Sequence, residues 1–227
     1  MQGSKPRIAV IGGTGSLGTG LARRWSQAGY PVIIGSRTWE KAEIALANLR
    51  TILNARGQEG ASVSALSNVE AAHECDIAVL TVPFAHHSAT LKSIAPGLHR
   101  KILVDVTVPL MPPKVGTVQL PPEGSAGQAA QILLGDDVRV VSAFQNVAAH
   151  HLQEEHSLDC DVLVSGNNKQ ARSAVIDLIA AIGMRGFHAG PIANAAAAEA
   201  LTSVIININR VHKCHAGLRI SGLQVNS

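Results

Sequence analysis

Aromatic residues are scarce, with two Trp, one Tyr and three Phe in 227 residues. A core made with so few rings must draw its volume from Ala, Val, Ile and Leu, and at 46% hydrophobic residues the chain has enough of them. Such a composition suits a parallel sheet whose strands are covered by helices on both faces. Cysteine is sparse too. Cys75, Cys160 and Cys214 are odd in number, far apart and in no C-x-x-C pattern, which argues against a disulfide framework and for a reducing compartment. No apolar run reaches the roughly 18 residues of a membrane span. The start, Met1-Gln2-Gly3-Ser4-Lys5-Pro6, has no apolar signal core. The expectation is a cytoplasmic protein without membrane contact. Neither sign of charge dominates: the net charge is +3 with Lys and Arg dispersed, so there is no basic stripe for nucleic acid. Small anionic ligands are compatible with that balance.

Glycine, by contrast, stands where chemistry needs it. The stretch Ile8-Ala9-Val10-Ile11-Gly12-Gly13-Thr14-Gly15-Ser16-Leu17-Gly18 joins an apolar strand-like run to a glycine-rich turn and then to a helix. Gly13, Gly15 and Gly18 have the G-x-G-x-x-G spacing of a dinucleotide site: the first permits the tight turn, the second lets backbone approach a pyrophosphate, and the third lets helix and strand pack closely. Alone the spacing is a weak signal. Here a strand precedes it, a helix follows (Leu17, Leu21, Ala22, Trp25 and Ala28 at helical spacing), and Val32-Ile33-Ile34 makes a second strand. Free N–H groups at the helix start, from Ser16 on, would face the phosphates.

The second strand ends in Gly35-Ser36-Arg37-Thr38. An NAD site usually places Asp or Glu about 20 residues beyond the glycines, on the ribose 2′-OH. Arg37 stands there instead. Its guanidinium can grip a 2′-phosphate bidentately, with the Ser36 and Thr38 hydroxyls as further donors and Lys41 one helical turn on. The implied cofactor is NADP, favoured over NAD by about ten- to a thousandfold from one or two charge-assisted bonds.

Further along, a helix is expected over residues 38–54, a weak strand over 61–65, a strand from Asp76 stopped by Pro83, a helix over 87–95 and a strand over 101–106. Residues 108–124, with Pro109, Pro112, Pro113, Pro121 and Pro122, read as an irregular loop on the substrate side of the sheet. A helix over 125–134 and a strand over 138–144 complete the first unit. The fold class is therefore α/β: a doubly wound Rossmann dinucleotide-binding domain, residues 1–145, with a smaller C-terminal α/β domain, residues 146–227. That second unit should hold a strand at 162–164, a helix over 169–182, a short strand near Phe187-His188 and a long final helix after Pro191. Leu201, Val204, Ile205 and Ile208 make the last helix apolar on several faces, so a partner subunit is its expected cover and a homodimer the expected state.

Together the glycine segment, Gly35-Ser36-Arg37, Leu80-Thr81-Val82-Pro83-Phe84, Val140-Val141-Ser142-Ala143-Phe144 and Ala189-Gly190-Pro191 resemble NADPH-dependent reductases of coenzyme F420, an 8-hydroxy-5-deazaflavin. The resemblance covers nearly the whole chain. It implies direct hydride transfer between nicotinamide C4 and deazaflavin C5, with the rings stacked in a cleft between the domains. Such a step depends on proximity and orientation and requires no dedicated acid or base. Consistent with that, the chain has no Ser-His-Asp set and no Tyr-x-x-x-Lys. By resemblance, Thr14, Ser16, Ser36, Arg37 and Lys41 hold the NADP phosphates beside Gly13, Gly15, Leu17 and Gly18. Val82, Pro83, Phe84 and His86 line the nicotinamide end. After the sixth strand the family places a polar residue, often His or Asn; here it is Gln145, followed by Asn146. Both are expected on the acceptor, with Pro191 and Asn207, and with Ala143 and Gly190 leaving room for the ring.

The same fold serves the flavin-using metalloreductase domain of membrane ferric reductases, so a flavin is an alternative acceptor. Reduction of a small carbonyl or imine, and a non-enzymatic NADP-sensing module, are the other readings. His150, His151, His156 and Cys160 match no zinc spacing and read as a solvated helix face, as do His212 and His215.

Overall fold

The structure is a computed structural model that describes residues 4–154 and 158–222. Strands and helices alternate: β1 (Ile8–Ile11), α1 (Ser16–Gln27), β2 (Val32–Ser36), α2 (Trp39–Asn54), β3 (Val63–Ser67), α3 (Asn68–Glu74), β4 (Ile77–Leu80), α4 (Phe84–Ile94), β5 (Ile102–Asp105), α5 (Ala126–Leu134), β6 (Arg139–Ser142), α6 (Ala149–Gln153), β7 (Asp161–Gly166), α7 (Lys169–Ala180), β8 (Arg185–His188) and α8 (Ala195–His212). All eight strands form one sheet, in the order β3-β2-β1-β4-β5-β6-β7-β8. The chain runs outward from β1 to β3, crosses over to β4 and runs outward the other way. The carboxyl ends of β1 and β4 therefore flank a topological switch point, where such sheets bind ligands. Residues beyond 146 join the same sheet, through the antiparallel pairs Val141 with Gly166 and Ser142 with Ser165.

The central strands β1, β2, β4 and β5 are buried on both faces, as their near-continuous apolar runs require. Ile8 and Val10 belong to one core cluster and Ala9 and Ile11 to the other. On the first face Trp25 is fully buried. It meets Phe144 edge-on with centroids 5.9 Å apart, and its Nε1–H donates to the Leu178 carbonyl at 3.0 Å. In α1, a Cβ at Gly20 would lie 2.6 Å from the Leu152 Cβ, so α6 packs directly on α1. The carbonyls ending α6 are received by Arg24, whose guanidinium donates to His151, Leu152 and Glu154 at 3.0, 3.2 and 2.7 Å.

Several elements differ from expectation. The weak strand lies over 63–67, two residues later than expected, and runs straight into α3, which the periodicity did not announce. A capping box starts that helix: Ser67 Oγ accepts the Glu70 N–H at 3.2 Å, and Glu70 Oε2 accepts the Ser67 N–H at 3.1 Å. Helix α4 begins at Phe84, three residues early, because Pro83 ends the strand segment and serves as the N-cap at once. Residues 108–124 contain no helix or strand, as their prolines predict. The loop is tied to α8 by Asn207, whose Nδ2 donates to the Gly116 carbonyl at 2.6 Å.

Helix α8 has two characters. Its inner side buries Ala198, Ser203, Ile205 and the carboxylate of Glu199, which accepts the Ala126 and Gly127 N–H groups at the start of α5, at 2.7 and 3.1 Å. Its outer side carries Val204, Ile208 and Val211, which are 45%, 41% and 73% exposed and lie one above another at helical spacing.

Burial pushes the Glu199 carboxyl up to about 7, against the two N–H bonds that favour its charge. An unfolded chain ionises this group freely from about pH 4.5, whereas the folded chain resists until about 7, so its contribution to stability falls between those values and is flat above them. Urea unfolding of the wild type and Glu199→Gln from pH 4.5 to 8 should show the wild type losing up to about 3 kcal/mol relative to the variant. Parallel curves would contradict the assignment.

Candidate functional site

The turn after β1 is held through its own backbone N–H groups, by one side chain and one carbonyl. Gly12 N–H donates to Asn68 Oδ1 at 3.1 Å, and Gly13 N–H donates to the Gly35 carbonyl at 2.9 Å. The tight turn falls on Gly12, which has φ +72° and passes so close to β4 that a Cβ would lie 2.5 Å from Val82 Cγ1. A Cβ at Gly18 would lie 2.8 Å from both Gly13 Cα and Thr81 Oγ1, which is the close helix–strand approach expected of the third glycine. At Gly15 a Cβ would meet nothing within 4 Å. That open space is where a ligand can approach the backbone.

Helix α1 starts there without a cap. Its N-cap residue is Gly15, no side chain accepts from its first N–H groups, and its first turn has no acidic residue. The starts of α3, α5 and α7 are instead closed by Ser67, by Ser125 with Glu199, and by Asn168. Uncapped N–H groups and the positive end of the helix dipole suit an anion. Gln153 steadies this turn from α6, its Nε2 donating to the Ser16 carbonyl at 2.6 Å and to Thr19 Oγ1 at 2.9 Å.

A cavity of about 660 Å³ opens over the carboxyl ends of β2, β1, β4 and β5. Thr14, Gly15, Ser16, Leu17, Ser36, Arg37, Lys41, Val82, Pro83 and His86 all line it, so the structure brings together ten of the residues singled out in the sequence. Gly13 and Gly18 support the turn from behind. Ser36 is buried and its Oγ accepts the Thr38 N–H at 3.4 Å, while Arg37 and Lys41 are exposed and form no ion pair among the described residues. From β2 to β5 is three strand spacings, about 14 Å, enough for an extended dinucleotide to lie with its 2′-phosphate at Arg37 and its far end over β4 and β5. The open helix start, the space at Gly15 and the two free cations fit NADP. A second, mostly apolar cavity of about 460 Å³ between α1 and α2 shares only Thr14 and Lys41 with this site.

Val106, Thr107, Val108 and Leu110, from the turn after β5 and the start of the loop expected on the substrate side, line the cavity as well, whereas Asn68, Thr81 and Thr90 line it without having been singled out as ligand contacts. Asn68 had a sequence signal, since Ser67-x-x-Glu70 marks a helix start at the end of a strand.

Five expected contacts lie elsewhere. Phe84 is half-buried and packs its ring against His87, with centroids 5.9 Å apart, instead of lining the cavity. Gln145 is buried behind the end of β5, where Nε2 donates to the Asp105 carbonyl and to Ser142 Oγ, each at 2.9 Å. Asn146 donates to the Ala198 carbonyl and Thr202 Oγ1 at 2.9 and 3.1 Å. Pro191 is exposed and caps the 3-10 turn Ile192–Asn194, and Asn207 holds the proline-rich loop. Among the surface histidines, His150 pairs with Glu154 at 2.9 Å and His151 Nε2 lies 3.0 Å from the His215 carbonyl. His156 lies outside the described residues.

Beneath the β5 end of the cavity, His87 Nε2 is 2.6 Å from Asp105 Oδ2, and their side chains are only 4% and 1% exposed. Burial lowers the imidazole pKa, but the hydrogen bond and charge of Asp105, with the charge of Glu199 behind, outweigh it and hold His87 above its usual range.

Residues 7–109 match the family model for NADP oxidoreductase, coenzyme F420-dependent. The F420-dependent NADP reductase of Methanocaldococcus jannaschii is 38% identical over 225 residues, covering 96% of this chain and all of that protein. That of Methanothermobacter thermautotrophicus is 38% identical over 224 residues, covering 96% and 95%. A solved structure from Arthrobacter sp. FB24, described as a candidate F420-dependent NADP-reductase, superposes with a TM-score of 0.78 at 27% identity, over 96% of this chain and 100% of that one. With the sheet order, the uncapped α1 and the Arg37 pocket already in place, these likenesses identify the chain as a member of the F420-dependent NADP reductase family.

Proposed function

We propose that the protein transfers hydride between NADP(H) and coenzyme F420 in this cavity. The observation that carries the cofactor half is the pairing, in one cavity, of an uncapped helix start with two unpartnered cations at the end of β2. Kinship with reductases named for F420 supports the acceptor half. NADPH supplies a hydride from its nicotinamide ring when bound. Arg37 and Lys41 select the 2′-phosphate, with Ser36 and Thr38 beside them. Thr14, Gly15, Ser16 and Leu17 present backbone donors to the diphosphate. Val82, Pro83 and His86 wall the nicotinamide end and narrow the water-filled space around it. No side chain is assigned as acid or base, because a hydride step gains its rate from alignment.

Gln145 supports the acceptor end from behind by holding the Asp105 carbonyl. Residues 1–145 form the NADP-binding unit and line the cavity, while residues 146–227 back its acceptor side, with Asn207 holding the proline-rich loop, and offer the subunit contact. The three free thiols, Cys75, Cys160 and Cys214, support a cytoplasmic setting. No helix among the described residues is long and apolar enough to cross a membrane.

The test is an assay of NADPH oxidation by F420, with Arg37→Asp as the diagnostic variant. Wild type should consume NADPH and F420 one for one. The variant should bind NADPH at least tenfold more weakly while NADH binding is spared, since it loses the phosphate fork and gains a repelling charge. Equal loss for both cofactors, or no turnover of F420 by the wild type, would contradict the reading.

The exposed stripe Val204, Ile208 and Val211 supports a homodimer closed over α8. Sedimentation should give a dimer at micromolar concentration and a folded monomer for Val204→Glu with Ile208→Glu. A monomeric wild type would refute it.

A further inference from the structure

Buried ion pairs are a poor source of stability, because removing two charges from water offsets their attraction. The His87–Asp105 pair therefore calls for another explanation, and the other bonds of Asp105 provide one. Its Oδ1 accepts the Thr107 N–H at 3.0 Å, and its main-chain carbonyl accepts Gln145 Nε2 at 2.9 Å and the Ala143 N–H at 3.2 Å. One residue thus ties together the end of β5, the turn beyond it and the end of β6, while His87 ties it to α4. Thr107 lines the cavity, as do His86, beside His87, and Thr90, one turn further along α4. The Thr107 hydroxyl is buried and has no hydrogen-bond partner among the described residues, so the residue is held through its backbone, by Asp105.

We propose that His87 and Asp105 are a positioning pair for hydride transfer: protonated His87 on ionised Asp105 holds the wall formed by His86, Thr90 and Thr107 around the nicotinamide ring. Loss of either the proton or the carboxylate loosens that wall. The inference rests on the NADP reading of the cavity. The charged groups facing His87 are Asp105 from β5 and Glu199 from α8, and its neighbour on its own helix, the Phe84 ring, is uncharged. Both acids favour the imidazolium, so the pair loses its charge only as pH rises through a value above the ordinary histidine range.

Two variants, Asp105→Asn and His87→Gln, are compared with the wild type by titration with NADPH and with adenosine 2′,5′-bisphosphate, which has the 2′-phosphate and no nicotinamide. Single-turnover reduction of F420 is then followed against pH. In Asp105→Asn the bisphosphate should bind within twofold of wild type, NADPH five- to tenfold more weakly, and hydride transfer should slow at least tenfold. The wild-type rate should fall as pH rises, with an inflection that moves to lower pH in Asp105→Asn. His87→Gln keeps an N–H for Asp105 and cannot titrate, so it should retain NADPH affinity within threefold and lose the inflection.

Equal weakening of both ligands in Asp105→Asn, no change in either, or an inflection that persists in His87→Gln would overturn the proposal. Should Asp105→Asn fail to fold, His87→Gln alone decides. A wild type that binds neither ligand defeats the cofactor reading and the pair with it. One that binds both without reducing F420 defeats only the acceptor reading, and the two titrations still judge the pair.

Discussion

The close approach of the β1–α1 turn to β4 is the constraint on which the site depends. Gly12 and Gly18 leave so little room beside Val82, Thr81 and Gly13 that any Cβ there forces backbone or β-branched side chains apart. Overpacking of this kind typically costs about 1–3 kcal/mol. The positional consequence matters more, since a shifted turn would move the uncapped N–H groups of α1 away from the cavity. The same approach brings the carboxyl ends of β1 and β4 together at the switch in strand order, so one local contact gives both the open helix start and the cavity wall beside it.

Polar groups are distributed to match. Most strand interiors are apolar, and several of the buried polar side chains gather where strands end: Ser36, Asn68, Asp105, Thr107, Ser142, Gln145 and Asn146. Nearly all have bonds within the fold. Among the described residues, the helix start at Gly15 has no side-chain cap, Arg37 and Lys41 have no ion pair and the Thr107 hydroxyl has no hydrogen-bond partner, and all of them line the cavity. Unsatisfied groups are costly in a closed core and useful on a cavity wall, where a ligand completes them. Glu199 shows the opposite choice. It closes the start of α5 with a buried carboxylate and joins α8 to the rest of the fold, leaving the outer stripe of that helix exposed.

Much of this was legible in the residues themselves. The strand–glycine–helix pattern located the turn, and Arg37 in the usual place of an acid marked the end of β2 that lines the cavity, because both depend on short-range spacing. What was illegible depends on distant partners. Gln145 and Asn146 are polar residues at the right strand end, but nothing local reveals that Asp105, Ser142, Ala198 and Thr202 already occupy their amide groups. Pro83 reads as a strand terminator, and its second role as the start of α4 turns Phe84 onto His87. The His87–Asp105 pair spans 18 residues and two elements, with no spacing rule to connect them. The apolar final helix was visible as such. Only the structure separates its buried side, with Glu199, from its exposed stripe.

The central claim is that the cavity aligns NADPH for direct hydride delivery to F420. The most direct measurement uses NADPH with both hydrogens at nicotinamide C4 replaced by deuterium, reacted with F420 in ordinary water, and reads the mass of the reduced F420. Direct delivery puts one deuterium into the product. A product without deuterium would contradict the account.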